Sequence, residues 1–122
     1  MGKLVLTVDD SRTMRDMLRL ALTDAGHTVI QADDGQHGVE VLNANPGIDV
    51  IVTDINMPRM DGYAFIDHVR RDLQDHSTPI LVLTTESEAI KKQRARDAGA
   101  TGWIVKPFDP QKLVAAINRV AP

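Results

Sequence analysis

The sequence contains no cysteine, which excludes disulfide bonds, thiolate chemistry and zinc sites built on cysteine. Aromatic residues are scarce, since one Trp, one Tyr and two Phe make up the whole set. No apolar run approaches the ~18 residues that a membrane-spanning helix needs, and the apolar stretch that ends at Asp9 is too short for a signal peptide. We therefore expect a cytoplasmic protein that does not enter a membrane.

The chain also lacks an excess of basic residues. Fourteen Lys and Arg stand against seventeen Asp and Glu, so that the formal net charge is −3. A nucleic-acid-binding domain normally carries a basic face, and this balance argues against such a partner. The acidic residues are concentrated in one half of the chain, because residues 1–61 hold ten of them and only five basic residues.

The length and hydrophobic content fit one globular domain over residues 1–122. The chain has 122 residues, of which 43% are hydrophobic, and this is enough for a core of its own. No internal repeat or linker-like stretch divides it. We expect a single domain that is monomeric.

The sequence has five short apolar runs, most of which lack the alternation of half-buried strands and suit strands buried on both faces of a parallel sheet. The runs are Leu4–Val8, Thr28–Ala32, Val50–Thr53, Ile80–Thr84 and 103–105. Apolar residues spaced three or four apart lie between them and predict amphipathic helices. These stripes are Met14, Met17, Leu18, Ala21, Leu22 and Ala25; Val39 and Leu42; Phe65, Ile66, Val69 and Leu73; and Leu113, Ile117 and Val120.

Capping signals mark the ends of several predicted helices. Gly26 stands where a left-handed cap closes the first helix, and the fourth helix closes on Gly99. The fourth helix, predicted over 87–98, opens on a capping box formed by Thr85 and Glu88. The last helix begins at Asp109, an N-cap followed by proline.

A strand followed by a helix, repeated five times, predicts an α/β fold. We expect a doubly wound, five-stranded parallel sheet, (βα)5, with helices on both faces. The chain is too short for an eight-stranded barrel.

Polar residues stand where four of the predicted strands end. Asp9 and Asp10 follow the first strand, Asp54 the third and Lys106 the fifth, while Thr84 ends the fourth. In open α/β sheets this edge is where ligands bind. Each residue alone has an ordinary explanation, such as a helix cap or a surface lysine. Their coincidence at one edge predicts a site.

Carboxylates that converge cannot all ionise cheaply unless a cation joins them. Their hard oxygens favour Mg²⁺, with Asp9 and Asp10 as ligands and Asn56 supplying its backbone carbonyl. A carboxylate can be a nucleophile, and Asp54 is the natural one because it is the single acid ending the third strand. Lys106 and the metal would neutralise a transferring phosphoryl group.

Four ordered motifs carry a resemblance to a known family. They are Val8-Asp9-Asp10-Ser11; Thr53-Asp54-Ile55-Asn56-Met57-Pro58 followed by Met60-Asp61-Gly62; Thr84-Thr85-Glu86; and Ile104-Val105-Lys106-Pro107-Phe108. Over residues 3 to 121 the chain resembles the receiver domain of two-component response regulators, and most of all the single-domain chemotaxis members. The resemblance implies a flavodoxin-like sheet of order 2-1-3-4-5, with no effector domain.

The resemblance also assigns roles to the residues of the site. It implies that Asp54 accepts a phosphoryl group from a histidine kinase. The Mg²⁺ site would comprise Asp10, Asp54 and the Asn56 carbonyl, with Asp9 acting through water. Lys106 would contact the phosphoryl group, and its bond to the following proline would be cis.

A switch is the second implication of the resemblance. The Thr84 hydroxyl would swing onto the phosphoryl group, and Trp103 would follow it inward from the place that Tyr or Phe usually takes. A partner would dock between the fourth helix, fifth strand and fifth helix, meeting Val105 and the basic Lys91 and Lys92. The alternatives are a Trp103 that only fills the core or sheet edge, and lysines that only form a solvated face.

We expect a binding module that catalyses only its own phosphorylation and dephosphorylation. The resemblance implies a CheA-like histidine kinase, a target such as the FliM-like flagellar motor switch protein, and a phosphatase. A phosphorelay carrier or phosphate sink is the alternative within the family. A haloacid-dehalogenase-like phosphatase is remote, because it needs an acid where Asn56 stands. A flavodoxin-type electron carrier and a nucleotide-binding protein lack their phosphate-binding loops here.

Overall fold

The computed structural model describes residues 2–122, which form five strands and five helices. The strands are β1 (Leu4–Val8), β2 (Thr28–Ala32), β3 (Val50–Thr53), β4 (Ile80–Thr84) and β5 (Gly102–Val105). The helices are α1 (Arg12–Asp24), α2 (Gly35–Ala44), α3 (Gly62–Asp67), α4 (Ala89–Ala98) and α5 (Pro110–Val120). The α3 helix continues as a π-helical segment, His68–Asp72. None of the helices within residues 2–122 is both long and apolar enough to cross a membrane.

The sheet confirms the expected fold class and strand order. All neighbouring strands are parallel, and the order is β2-β1-β3-β4-β5. Every residue of β3 and β4 is buried, as continuous apolar runs in a parallel sheet require. The buried central strands give the carboxyl edge of the sheet a rigid base.

Helices cover both faces of the sheet, so that the core has two parts. On one face Phe65 and Ile66 of α3 pack against Ile51, and on the other Leu22 of α1 and Leu113 of α5 share a cluster. These five side chains are fully buried. The predicted doubly wound arrangement is thereby confirmed, with α1 and α5 on the face opposite to α3.

Most of the predicted helix ends are confirmed. Gly26 and Gly99 take positive φ angles of 91° and 118°, as the left-handed caps require. The Asp109 carboxylate accepts a hydrogen bond from the Gln111 N–H at the start of α5. The predicted last strand begins one residue earlier than expected, at Gly102.

Two local predictions are wrong. The capping box of Thr85 and Glu88 does not form, because Glu88 is itself the residue before α4 and its side chain makes no capping bond. Leu73 is 37% exposed and does not share the buried face of Phe65 and Val69. The π-helical segment has a wider turn than an α-helix, which shifts Leu73 off the stripe that regular spacing predicts.

Candidate functional site

The carboxylates of Asp9, Asp10 and Asp54 come together at the carboxyl edge of the sheet. They offer oxygens that all lie within 4.8 Å of one another. Backbone hydrogen bonds of the sheet continue one residue past the strand ends and position two of these acids. The Asp54 N–H donates to the Val8 carbonyl at 2.9 Å, and the Asp9 N–H donates to the Ala32 carbonyl at 3.1 Å. The adjacent central strands β1 and β3 therefore deliver the acids to one point.

Lys106 lies between two of these acids. Its Nζ donates to Asp9 Oδ2 at 2.8 Å and to Asp54 Oδ2 at 2.9 Å. The Lys106 N–H also donates to the Thr84 carbonyl at 2.8 Å, which anchors the lysine beside the end of β4. The Lys106–Pro107 bond is cis, as the resemblance implies. A residue separated from the acids by fifty or more positions thus completes the site.

The other carboxylate oxygens are also held. Asp54 Oδ1 accepts from the Ile55 N–H at 2.6 Å, and Asp9 Oδ1 accepts from the Ser11 N–H at 2.8 Å. The Arg15 guanidinium, to which the sequence pattern assigns no role, donates to the Asp9 backbone carbonyl at 2.7 Å. Because Asp9 and Asp54 are buried and fixed by these bonds, their orientation is set before any ligand arrives.

Burial opposes the charge on both Asp9 and Lys106, but the pKa of only one of them follows burial. Removal from water raises the pKa of Asp9, although the bonds from Lys106 and the Ser11 N–H work in the opposite direction. Burial also opposes the charge on Lys106, but the hydrogen bonds to Asp9 and Asp54 outweigh it and raise the pKa of the ammonium. The site therefore holds a charged lysine beside an Asp9 carboxyl whose raised pKa makes its ionisation costly.

The donor set fits a divalent cation. Three carboxylates face one ammonium, so ionised acids leave an excess of negative charge that Lys106 alone cannot neutralise. Asp10 is exposed at the rim, where an entering ion can exchange water for its oxygen. Hard oxygen donors with access to water suit Mg²⁺.

Asn56 stands on the β3–α3 loop, two residues beyond Asp54, and is exposed. Its side-chain Nδ2 donates to Glu86 Oε1 at 3.1 Å. Since the side chain is paired with Glu86 of the β4–α4 loop, the backbone carbonyl oxygen is the group of Asn56 that remains to coordinate a cation.

Thr84 is completely buried at the end of β4. Its hydroxyl accepts a long hydrogen bond of 3.4 Å from the Glu86 N–H. Thr84 therefore connects the edge of the sheet to the loop that follows β4.

Glu86 is the residue of this region that sequence reasoning missed. Its Oε2 accepts from Lys91 Nζ at 2.8 Å, and its backbone carbonyl accepts from the Trp103 indole N–H at 3.0 Å. The Lys91 and Asn56 side chains lower the pKa of Glu86. Only its position in the motif Thr84-Thr85-Glu86 could have drawn attention to it, because all its partners belong to other parts of the fold.

The residues predicted for partner binding differ in their surroundings. Lys91 is engaged by Glu86 and lies 3.8 Å from Glu88, whereas Lys92 is exposed. Val105 is 38% exposed on the edge strand. Trp103 is half-buried and packs against the core on the α3 face, beside a small cavity of about 60 Å³ that Lys92 also lines.

Comparisons with known proteins agree with this geometry. A family model described as the response regulator receiver domain matches residues 5–118. A chemotaxis protein CheY homolog of Campylobacter jejuni is 39% identical over 117 residues, covering 95% of this chain and 90% of that protein. Chemotaxis protein CheY1 of Helicobacter pylori is 40% identical over 110 residues, covering 89% of each. The structure of chemotaxis protein CheY4 of Vibrio cholerae is similar at a TM-score of 0.91, with 44% identity over 98% of this chain and 99% of that one.

Proposed function

The chain belongs to the response regulator receiver domain family, and on that premise we propose that it is a switch phosphorylated on Asp54. The observation that carries this proposal is the placement of Lys106, whose ammonium bridges Asp54 and Asp9. An aspartate that is buried, oriented and paired with a lysine at the ligand-binding edge is suited to accept a phosphoryl group.

The transfer begins with a phosphohistidine on a CheA-like kinase. An Asp54 carboxylate oxygen attacks phosphorus, the P–N bond breaks, and the leaving imidazole nitrogen takes a proton from solvent. The Lys106 ammonium, which pairs with the carboxylates before the transfer, then pairs with the phosphoryl oxygens and neutralises part of their negative charge. Asp9, Asp10, Asp54 and the Asn56 carbonyl would hold a Mg²⁺ ion, which would supply further positive charge to the phosphoryl oxygens.

The reaction is stoichiometric for this chain, because the product is the chain itself. Water later attacks the phosphorus of the acyl phosphate, the P–O bond to Asp54 breaks, and inorganic phosphate leaves as the Asp54 carboxylate is restored. A phosphatase partner would accelerate that step. Asn56 stands two residues after Asp54 and bonds Glu86 through its amide. An amide cannot donate the proton that a haloacid-dehalogenase-type enzyme needs there, which favours a switch over a phosphatase acting on other molecules.

The switch is read on the face formed by α4, β5 and α5. The Thr84 hydroxyl turns toward the phosphoryl group and gives up its contact with the Glu86 N–H. The Glu86 carbonyl accepts a hydrogen bond from the Trp103 indole, so a shift of this loop displaces Trp103. Lys92 lines the same small cavity as Trp103, and Val105 lies on the same strand. The target is the FliM-like flagellar motor switch protein, and the chain acts in the cytoplasm.

The names of the related proteins support a role in chemotaxis, since those reported above are chemotaxis proteins. A phosphorelay carrier or phosphate sink remains the second candidate because it uses the same site without motor binding. Pull-down of the motor switch protein by the phosphorylated and unphosphorylated chain separates the two. Capture that requires phosphorylation supports the motor role, and back-transfer to the kinase without capture supports the sink.

Incubation with acetyl phosphate and Mg²⁺ tests the proposal. Intact-mass analysis should show one phosphoryl group on the wild-type chain and on Asp24→Asn, an exposed control at the far end of α1. Asp54→Asn should remain unmodified. The same adduct on Asp54→Asn would overturn the assignment.

A further inference from the structure

A second contact between loops lies beside the site and is not used by the reaction described above. The β2–α2 loop, which carries Asp34 and Gly35, contacts Arg59 and Met60 of the β3–α3 loop. Arg59 Nε donates to Asp34 Oδ2 at 2.5 Å, and the Gly35 N–H donates to the Met60 carbonyl at 3.1 Å. We name these four residues the loop clamp.

Arg59 has an unfavourable backbone conformation. Its φ of 65° lies in the left-handed region, which residues with a Cβ rarely adopt. Such a conformation persists only where the surroundings impose it, and it concentrates at functional sites. Two bonds accompany this conformation: the Met60 N–H donates to the Pro58 carbonyl at 2.7 Å across Arg59, and the Arg59 side chain is tied to Asp34.

Asp34 is a rigid anchor for that bond. Its side chain is 4% exposed, and its Oδ1 accepts from the His37 N–H at 2.9 Å as the N-cap of α2. Burial opposes the charge, yet the Arg59 guanidinium lowers the pKa of Asp34 below its ordinary value. Both oxygens are thus engaged, one by a helix terminus and one by Arg59.

Gly35 allows the two loops to approach closely. A Cβ at this position would lie 2.6 Å from the Met60 carbonyl oxygen, so any side chain would force the loops apart. The glycine is needed here for space, because its own φ is not positive.

The clamp determines the path of the segment that carries Asn56. At one end this segment leaves the buried Asp54, and the Gly62 N–H closes the loop on the Ile55 carbonyl at 2.8 Å. At the other end Arg59 and Met60 are held by the β2–α2 loop. Asn56 lies along the chain between these two anchored points.

We propose that Arg59 is a positioning residue for the cation site. Through its bond to Asp34 it holds the β3–α3 loop so that the Asn56 carbonyl faces the carboxylates of Asp9, Asp10 and Asp54. This inference rests on the metal site of the proposed function. It assigns the affinity for a divalent cation partly to a residue that contributes no ligand atom.

Titration calorimetry with MgCl₂ tests the inference on Arg59→Gly, which removes the guanidinium and relieves the left-handed backbone. The Mg²⁺ dissociation constant should rise about tenfold, the lower end of the loss seen when a group supporting a metal ligand is removed. The matched control is Gln74→Gly, because within residues 2–122 Gln74 is the other residue with a side chain and a positive φ, at 53°. Its Mg²⁺ affinity should equal that of the wild-type chain.

Thermal unfolding in chelator separates positioning from general damage. Arg59→Gly should melt close to the wild-type chain, because glycine relieves the backbone angle while the buried Asp34 carboxylate loses one partner. Weaker Mg²⁺ binding in a variant that remains folded at the titration temperature supports the inference. Wild-type affinity in Arg59→Gly would overturn it.

Asp34→Asn provides a second variant. Asparagine can still cap α2, but it offers no charge to Arg59, so Mg²⁺ binding should weaken by a similar factor. The double variant should be no weaker than either single one, whereas fully additive losses would count against a shared contact. If the wild-type chain does not bind Mg²⁺, the proposed metal site is wrong. If the wild-type chain binds Mg²⁺ and Arg59→Gly binds it equally well, only the role of the loop clamp is wrong.

Discussion

The indole N–H of Trp103 donates a hydrogen bond to the backbone carbonyl of Glu86 at 3.0 Å. This bond ties the edge strand β5 to the β4–α4 loop, whose own position depends on the contact of the Glu86 N–H with the Thr84 hydroxyl. The side chain of Glu86 reaches Asn56 on one side and Lys91 on the other. One residue thus contacts the loop of the site, the end of β4, the edge strand and α4.

This arrangement gives Trp103 a measurable role. Because the indole is held by the loop that Thr84 contacts, phosphorylation should change its fluorescence. Thr84→Ala lacks the hydroxyl and should become phosphorylated with little change in fluorescence. The readout is simple to interpret because Trp103 is the single Trp of the chain. A signal that ignores both phosphorylation and Thr84→Ala would mean that Trp103 only fills space.

Replacement of Lys106 should separate phosphoryl transfer from cation binding. Lys106→Ala removes the positive charge that stabilises the transferring group, and labelling by acetyl phosphate should slow about 10²-fold to 10³-fold. Mg²⁺ should bind at least as tightly as before, since Asp9 and Asp54 lose their ammonium partner. Lys112→Ala, on the exposed side of α5, should change neither quantity. Labelling at the wild-type rate would contradict the role of Lys106.

Neutralising Asp9 should stabilise the metal-free chain. Burial raises the pKa of Asp9, so its ionised form costs stability at neutral pH, and this cost disappears as the pH falls through the folded-state pKa. Asp9→Asn in chelator should gain on the order of 1 kcal/mol near pH 7, roughly 4 °C in Tm. The difference from the wild-type chain should shrink on acidification toward the ordinary carboxyl range.

Added Mg²⁺ should reverse the order, because the wild-type chain gains stability from binding that Asp9→Asn largely loses. Thermal melts with Mg²⁺ and with chelator, at several pH values, provide the comparison. An Asp9→Asn chain that melts lower in chelator near neutral pH would contradict the assigned cost of burying this carboxylate.

Gly62 should tolerate no side chain. A Cβ there would clash with the Asp54 backbone carbonyl, so Gly62→Ala must displace either α3 or Asp54. We expect a loss of about 1–3 kcal/mol in the free energy of unfolding, together with slower labelling of Asp54. Gly47→Ala is the matched control, because a Cβ at Gly47 meets no atom within 4 Å. Denaturant unfolding measures both variants. Equal stability would contradict the prediction and show that the backbone around Gly62 can move to accommodate a Cβ.

The sheet could be predicted from the sequence because strands that are buried on both faces appear in it as continuous apolar runs. The residues of β3 and β4 are all buried, and their continuous apolar runs mark strands and the edge where Asp54 and Thr84 must lie. Regular spacing fails where the backbone departs from regularity, as at Leu73 after the π-helical segment.

The contacts of Glu86 and Arg59 could not be predicted in this way. Neither residue belongs to a periodic pattern, and each finds its partners across loops that only the folded sheet brings together. Asp34 is 25 positions from Arg59 along the chain, and Asn56 is 30 positions from Glu86. No local propensity encodes such pairs.

The most direct test of the central claim is to map the acyl phosphate chemically. After treatment with acetyl phosphate and Mg²⁺, borohydride reduction converts a phosphorylated aspartate to homoserine, which tandem mass spectrometry locates in the sequence. The account predicts homoserine at position 54 alone, and none when the phosphodonor is omitted. Homoserine at position 9 or 10, or none at position 54 in a chain that carries a phosphoryl group, would contradict it.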